Sequence, residues 1–356
     1  MNINAIIMYM MAFGAVLGGV DRVLGDRLGF GEQFEKGFQM LGSVGLSMAG
    51  IICLAPLLGG AMETLVGPVC AMVGLDPAIF ASLLAIDMGG YPLAVDLAKD
   101  SALGLYSGVV VSSIFGCTLV FSIPVGVGFL GNEDKSFMRG ILLGLAVMPA
   151  ALLTGGLAMG LGVWQILWNS MPVFALSAAL AVGVAKAPGA MMKGFKLFAW
   201  AIRAVATLGL TAAAVTHMTG FVILEGMPPL QEAMDVVCAI GIVMLGSMPL
   251  AELLRRVLKT PFQWIGEKTG LDSTGTTALL VALVSAAPAL ALLPRMNKRS
   301  RTVVSAFIVC GVCSIGSHFA FAQSVAPEAV LPMLAAKLAG GFLGAAVAIA
   351  FAGDHE

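Results

Sequence analysis

The sequence predicts an all-α polytopic membrane protein of about nine spans plus two broken or re-entrant segments, arranged as two inverted-topology repeats. Three observations predict it. Apolar residues make up 59% of the 356 positions and charged residues only 11%, against about 25% charged in a soluble domain. Mean hydropathy is +0.99, and the 46 positions between Arg139 and Lys186 carry no charge, enough for two crossings and far too long for a soluble helix. Sliding the chain 196 positions along itself aligns residues 48–92 with 244–288 at 13 of 45 places without a gap; about four would match by chance in so apolar a chain.

Charge-free runs place the elements. Asn2–Val20 is a first membrane helix rather than a removable leader, since it has no basic lead-in and no small-residue cleavage site. A charged loop, Asp21–Lys36, separates it from a second span, Phe38–Leu58. Leu65–Gly74, short and holding Pro68, is a connector. Pro77–Leu97 is the first broken segment. Leu103–Leu130, Ile141–Val163 and Val173–Val184 follow, with a turn near Asn169–Pro172. Next come Phe195–Ala214, carrying Arg203, and Val236–Leu254, ending near Glu252. Thr274–Leu293 holds the second break, Ser285-Ala286-Ala287-Pro288. Thr302–Ser324 and Ala329–Phe351 are continuous spans. The chain is one transmembrane domain, 1–356, with repeats at about 38–162 and 235–352 linked by helices 168–187 and 195–220.

Lys and Arg concentrate in 21–37, 131–139, 185–196, 255–268 and 295–301. All five face the cytoplasm only if both broken segments dip in and return on their own side. The N-terminus is then outside, the C-terminus inside, and the two hairpins enter from opposite faces.

Composition removes several function classes. A net charge of −1 without a basic patch gives no footing for nucleic acid. Cysteines 53, 70, 117, 238, 310 and 313 all lie in apolar segments, which argues against a disulfide framework. Cys310 and Cys313, at i and i+3 of one expected helix, are too few ligands for a metal site. No phosphate-cradling glycine loop, zinc motif or nucleophile elbow is present, so an enzyme is not expected, nor a cofactor.

Asp87 is the leading candidate. Ten uncharged residues, Pro77–Ile86, lead into it, and Met88-Gly89-Gly90-Tyr91-Pro92 then breaks the helix. A carboxylate at the bilayer centre costs about 2.5–3.5 kcal/mol on insertion scales, less if it faces a wet cavity and meets a cation. The first half-helix should add the partial negative charge of its C-terminus. Such a point suits an ammonium or alkali ion; the competing reading is a structural salt bridge to Lys337 or Arg203. Gly89 and Gly90 allow close backbone approach, and Tyr91 offers a hydroxyl or a π face. Asp96 marks the hairpin's return or serves coupling. Ser285 is the polar side chain at the second break. Ser317 and His318 bind a hydroxyl or relay a proton, His318 alternatively being a hydrogen-bonded core residue. Lys337 either snorkels or pairs with Asp87.

These residues lie within motifs that resemble the ethanolamine permeases of bacterial ethanolamine-utilisation operons. The motifs are Gln33-Phe34-Glu35, Gly37-Phe38, Met48 with Gly50, Leu54-Ala55-Pro56, Asp87-Met88-Gly89-Gly90, Leu105-Tyr106-Ser107-Gly108, Phe121-Ser122-Ile123-Pro124-Val125, Gly194-Phe195 with Phe198-Ala199, and Lys337-Leu338-Ala339-Gly340-Gly341. The Asp-Met-Gly-Gly block is specific; the rest are individually weak. The resemblance covers nearly the whole chain and implies uptake of ethanolamine, mostly protonated at neutral pH, across the cytoplasmic membrane. Two departures stand out. The family often has an Asn-Asn pair before the second-half proline, where this chain has Ser285-Ala286, and an acid before the histidine, where it has Ser317. Both remove polar groups from the expected site, which leaves room for another small amine or amino alcohol and for altered coupling.

The expectation is therefore a permease for ethanolamine or a related amine, with Asp87, Met88, Gly89, Gly90, Tyr91, Ser285, Ser317 and His318 at the substrate and Lys337 or Asp96 as charge partner. Its partners are the amine and the lipid bilayer, and a homo-oligomer is compatible with the sequence. Coupling to H+ or Na+ is open. The alternatives are an ion-coupled carrier of another small solute or a non-transporting membrane sensor or scaffold.

Overall fold

The computed structural model describes residues 3–131 and 134–351. Every regular element among them is helical. In chain order these are α1 (Ile3–Val23), α2 (Phe30–Val73), α3 (Ala78–Ala81), α4 (Gly90–Leu97), α5 (Ser101–Leu130), α6 (Lys135–Ala158), α7 (Val163–Asn169) and α8 (Met171–Lys186). Then follow α9 (Pro188–Thr219), α10 (Leu230–Thr269), α11 (Ser273–Val284), α12 (Ala286–Ala291), α13 (Lys298–Gly311), α14 (Ser317–Val325) and α15 (Val330–Phe351). Seven of these, α1, α2, α5, α6, α9, α10 and α15, are long and apolar enough to cross a bilayer, and α7 with α8, bent by 51°, make an eighth.

Several expected boundaries move. Phe38–Leu58 and the supposed connector after it form one 44-residue helix, α2, that runs through Pro56 and Pro68. Its counterpart α10, 40 residues, runs through Pro249 and Pro261. A proline removes one backbone bond and kinks a helix, but does not end it where the turns on both sides are held. At about 1.5 Å per residue both helices exceed the ~30 Å hydrocarbon layer and project beyond it. The charged loop shortens to a turn before Phe30, because the Asp21 carboxylate accepts from the N–H groups of Leu28 (2.9 Å), Phe30 (2.8 Å) and Gly31 (3.0 Å) and caps α2. The turn expected at Asn169–Pro172 is a bend at Ser170. The chain instead reverses at 159–162, where Gly160 has φ +83°. The span expected over Thr302–Ser324 is broken between Gly311 and Ser317.

α2 and α10 pack antiparallel, Gly37 lying against the Met244 carbonyl and Gly241 against Leu41. The N-terminal end of α2 meets the C-terminal part of α10, where Arg256 donates to the Leu28 carbonyl (2.7 Å) and stacks on Phe30. At this same basic end Arg299 donates to Thr269 O, Arg301 pairs with Asp134, and Arg139 donates to Phe351 O. Gly74 and Gly270, both left-handed, terminate the two long helices at opposite ends of the molecule.

Each of these glycines leads, two residues on, to an aspartate that ties together both ends of a hairpin. Asp76 accepts from Ala78 N (2.9 Å) at the start of the first hairpin and from Lys99 N (3.0 Å) and Asp100 N (2.9 Å) at its end. Asp272 accepts from Gly275 N (2.6 Å) at the start of the second and from Asn297 N (2.6 Å) at its end. Each hairpin therefore leaves by the end at which it entered, and the two point toward each other.

Asp76→Ala strands three backbone donors and should cost about 2–4 kcal/mol, read as a lower melting temperature of the detergent-solubilised protein. Removing the exposed cap with Asp100→Ala should cost only about 1 kcal/mol.

Candidate substrate site

The first hairpin departs from the expected pair of half-helices. Its leading arm, α3, is one turn long, and the chain leaves the helix at Ala85, which is extended. Asp87 lies in a 3-10 turn over Ile86–Met88, just ahead of α4. Its helical neighbour is therefore the positive end of α4, which supports the carboxylate's charge, and not the negative end of a preceding helix. The glycine pair dictates this. Gly89 has φ +99°, and a Cβ there would sit 2.1 Å from Ile51 Cγ2 of α2.

The hairpin is held along α5 by small residues at every fourth position. Gly104 meets Ala98, Gly108 meets Ala94 and Tyr91, Ser112 meets Gly90, and Gly116 meets the Leu84 carbonyl. This spacing keeps one small face toward the hairpin, so backbones approach without intervening side chains. Over Tyr106–Ser122 α5 is wound as a wide π-helix, a form frequent at functional sites.

Asp87 and Met88 are half-buried; Met88 packs against the large apolar core. Tyr91 does not face the carboxylate alone. Its hydroxyl donates to Val325 O (2.9 Å) at the C-terminus of α14, and its ring meets Phe321 edge-on at 6.0 Å. Asp96 is exposed and lies against Gly59 of α2, at the hairpin's return.

Ser285 is the single extended residue between α11 and α12. Beside it runs the second discontinuity, which the sequence reading missed. Cys313 N donates to Ala282 O (2.7 Å) and Ile315 N to Leu283 O (2.9 Å), as in a short strand pair. Gly316 packs directly on the Val284 carbonyl. Cys313 has φ +58°, so Cys310 and Cys313 do not share a helix as expected. The signal available was Gly311 and Gly316 bracketing a span already short of charge.

The break delivers Ser317 and His318 to the start of α14. His318 is buried, and its Nδ1 lies 3.1 Å from Lys337 Nζ. Lys337 is fully buried on α15 and donates to Ser113 O of the π-helical stretch (2.7 Å). It does not snorkel, because α15 is enclosed at that level by α5, α6 and α13. The 3-10 turn that holds Asp87 packs against both the π-helical stretch and α14, the two elements that present Ser113 O and His318 to Lys337. Arg203, the other suggested partner of Asp87, is exposed on α9 and donates to Ala199 O. His318 and Lys337 are thus brought into direct contact, and the turn of Asp87 packs on the elements that surround them.

A cavity of about 720 Å³ opens at the basic end between α2, α10 and the second hairpin. Gln33, Lys36, Gln39, Glu252 and Arg255 line its mouth, and Ser285 and Pro288 lie in its wall. Glu252 accepts from Arg255 and Arg256 at 2.7 Å. At the other end Tyr91 joins the first hairpin to α14. A half-buried carboxylate with a buried ammonium and imidazole nearby can hold and neutralise a small cation; among the described residues no His/Cys/Asp/Glu group suits a metal ion.

Spanning helices, two opposed hairpins and a charged centre define a multi-pass membrane transporter. The model of the family described as "Ethanolamine utilisation protein, EutH" matches residues 3–351. The chain is 36% identical over 351 residues to "Probable ethanolamine permease EutH" of Listeria monocytogenes, covering 98% of this chain and 94% of that one. It is 37% identical over 350 residues to "Uncharacterized protein YxeR" of Bacillus subtilis (98% and 95%) and 34% identical over 389 residues to the Escherichia coli protein named "Probable ethanolamine permease EutH" (98% and 95%). No solved structure matches. The chain belongs to the EutH family, in which the relatives named for an activity are named probable permeases, a transporter activity and not an enzymatic one.

Gly89→Ala forces a left-handed alanine into Ile51 and should destabilise the protein by at least about 2 kcal/mol. Joint loss of melting temperature and uptake would show it, with Gly128→Ala, where a Cβ meets open space, as the control.

Proposed function

We propose that this protein takes up ethanolamine, or a closely related small primary amine, across the bacterial cytoplasmic membrane, with Asp87 as the partner of the ammonium group. The observation that carries the reading is the position of Asp87, a half-buried carboxylate in the turn between α3 and α4 where the first hairpin meets the core. The names of the relatives point to the same substrate. Met88 and the Gly89–Gly90 backbone shape the pocket, Tyr91 closes it toward the C-terminus of α14, and Ser285 contacts the substrate from the vestibule. Ser317 and His318 serve the substrate hydroxyl or the proton.

The basic end, where Arg22, Lys36, Arg255, Arg256, Arg299 and Arg301 gather, is the cytoplasmic one. The antiparallel α2 and α10, with aspartate-tied hairpins at opposite ends, support two inverted repeats, about 38–162 and 235–352. One repeat rocking against the other would give alternating access. The vestibule then belongs to an inward-facing state with its outer side closed by Tyr91 and Phe321.

Labelled ethanolamine should enter proteoliposomes containing the wild type. Asp87→Asn should lower uptake by at least about 100-fold, the scale for removing one member of a desolvated charge pair. Absence of wild-type uptake by folded protein would exclude ethanolamine, and uptake unchanged in Asp87→Asn would exclude the site.

A further inference from the structure

Lys337 has no role in the reading above beyond being a neighbour. It is a primary ammonium, chemically the same head group as the proposed substrate, held without solvent contact at the centre of the protein. α5 presents Ser113 O to it and α14 presents His318, the turn that holds Asp87 packs on both α5 and α14, and α13 lays Cys310 against the helix of Lys337, α15, at Gly340. From α6 come small residues, Ala151 and Gly155, packed on the same helix. One carboxylate therefore serves the whole cluster. A second ammonium beside Asp87 would leave an uncompensated positive charge in a medium of low dielectric, where like charges repel strongly.

We propose that Lys337 is a tethered stand-in for the substrate: its ammonium balances Asp87 in the empty site, and it gives up one proton when the substrate's ammonium arrives. The inference rests on the amine-uptake reading. A Lys337 N–H bond breaks as the proton passes to His318 Nδ1, which already faces it at 3.1 Å. The imidazole passes the proton on Nε2 to water that enters with the amine, since His318 itself is closed to solvent in this state, and Lys337 remains as a neutral amine still bonded to Ser113 O. Charge in the site is conserved: one cation enters and one proton leaves. Transport is then an electroneutral exchange of a protonated amine for a proton.

The test is binding of ethanolamine, propanolamine and ethylamine to detergent-purified full-length protein, with proton release read by an indicator dye in weak buffer. Wild type should release one proton per amine bound. Its affinity should rise about tenfold per pH unit, the linkage slope for one proton, from about pH 6 to about pH 8, where a primary amine stays protonated. Lys337→Met and Lys337→Gln should bind without releasing a proton and without a pH slope, and in proteoliposomes should carry net charge where wild type does not. His318→Gln should slow release without abolishing its stoichiometry. Binding by wild type without proton release, or release retained in both Lys337 variants, overturns the proposal. If ethanolamine fails but another amine binds with release, the substrate reading falls and the tethered cation stands; if no primary amine binds, both fall.

Discussion

Lipid offers no partner to a free backbone N–H, so a segment that dips into the bilayer and returns must be tied at its mouth and lined by protein at its tip. Asp76 and Asp272 supply the tie. Each carboxylate takes backbone donors from residues more than twenty positions apart. At the tips, α5 lines the first hairpin with small residues, and the extended turn after α13 pairs with the end of α11 around Ser285. The long helices α2 and α10 set these two hairpins at opposite ends of one antiparallel pair. The positions of Asp87 and Ser285 depend on those ties.

The charges in the centre are few, and each constrains the others. Asp87 sits just ahead of the N-terminus of α4, whose positive end supports its charge. Lys337 and His318, 3.1 Å apart and both buried, can share one positive charge but not hold two. A cluster of this kind is costly in stability, and in the exchange proposed above an incoming cation would change which group carries the proton. The vestibule has the opposite character: it is wide, its mouth is edged with arginine and lysine, and Glu252 is already satisfied by two guanidinium groups.

Much of this was legible beforehand, and the misses share a cause. Asp87, the glycine pair and Ser285 stand out because a charge, a φ-permissive residue or a hydroxyl interrupts an apolar run. Pro68 misled for the same reason in reverse: in an isolated segment it would end a helix, yet inside a packed bundle α2 continues through it. The break before His318 left almost no trace, since Val312, Cys313 and Ser314 are as compatible with a helix as with a turn. Only the pairing of Cys313 and Ile315 with the end of α11 opens it.

The sequence by itself determined that this chain lives in a membrane, that it has broken segments with a carboxylate at one of them, and which motifs tie it to its family. These are properties of composition and local spacing, which act within a few turns of chain. The tertiary structure decided that Lys337 faces His318 and Ser113 rather than lipid, that Tyr91 closes on α14, and that the cavity opens at the basic end. Those outcomes join residues up to 234 positions apart, and they depend on which helix faces cover one another, which no local pattern encodes.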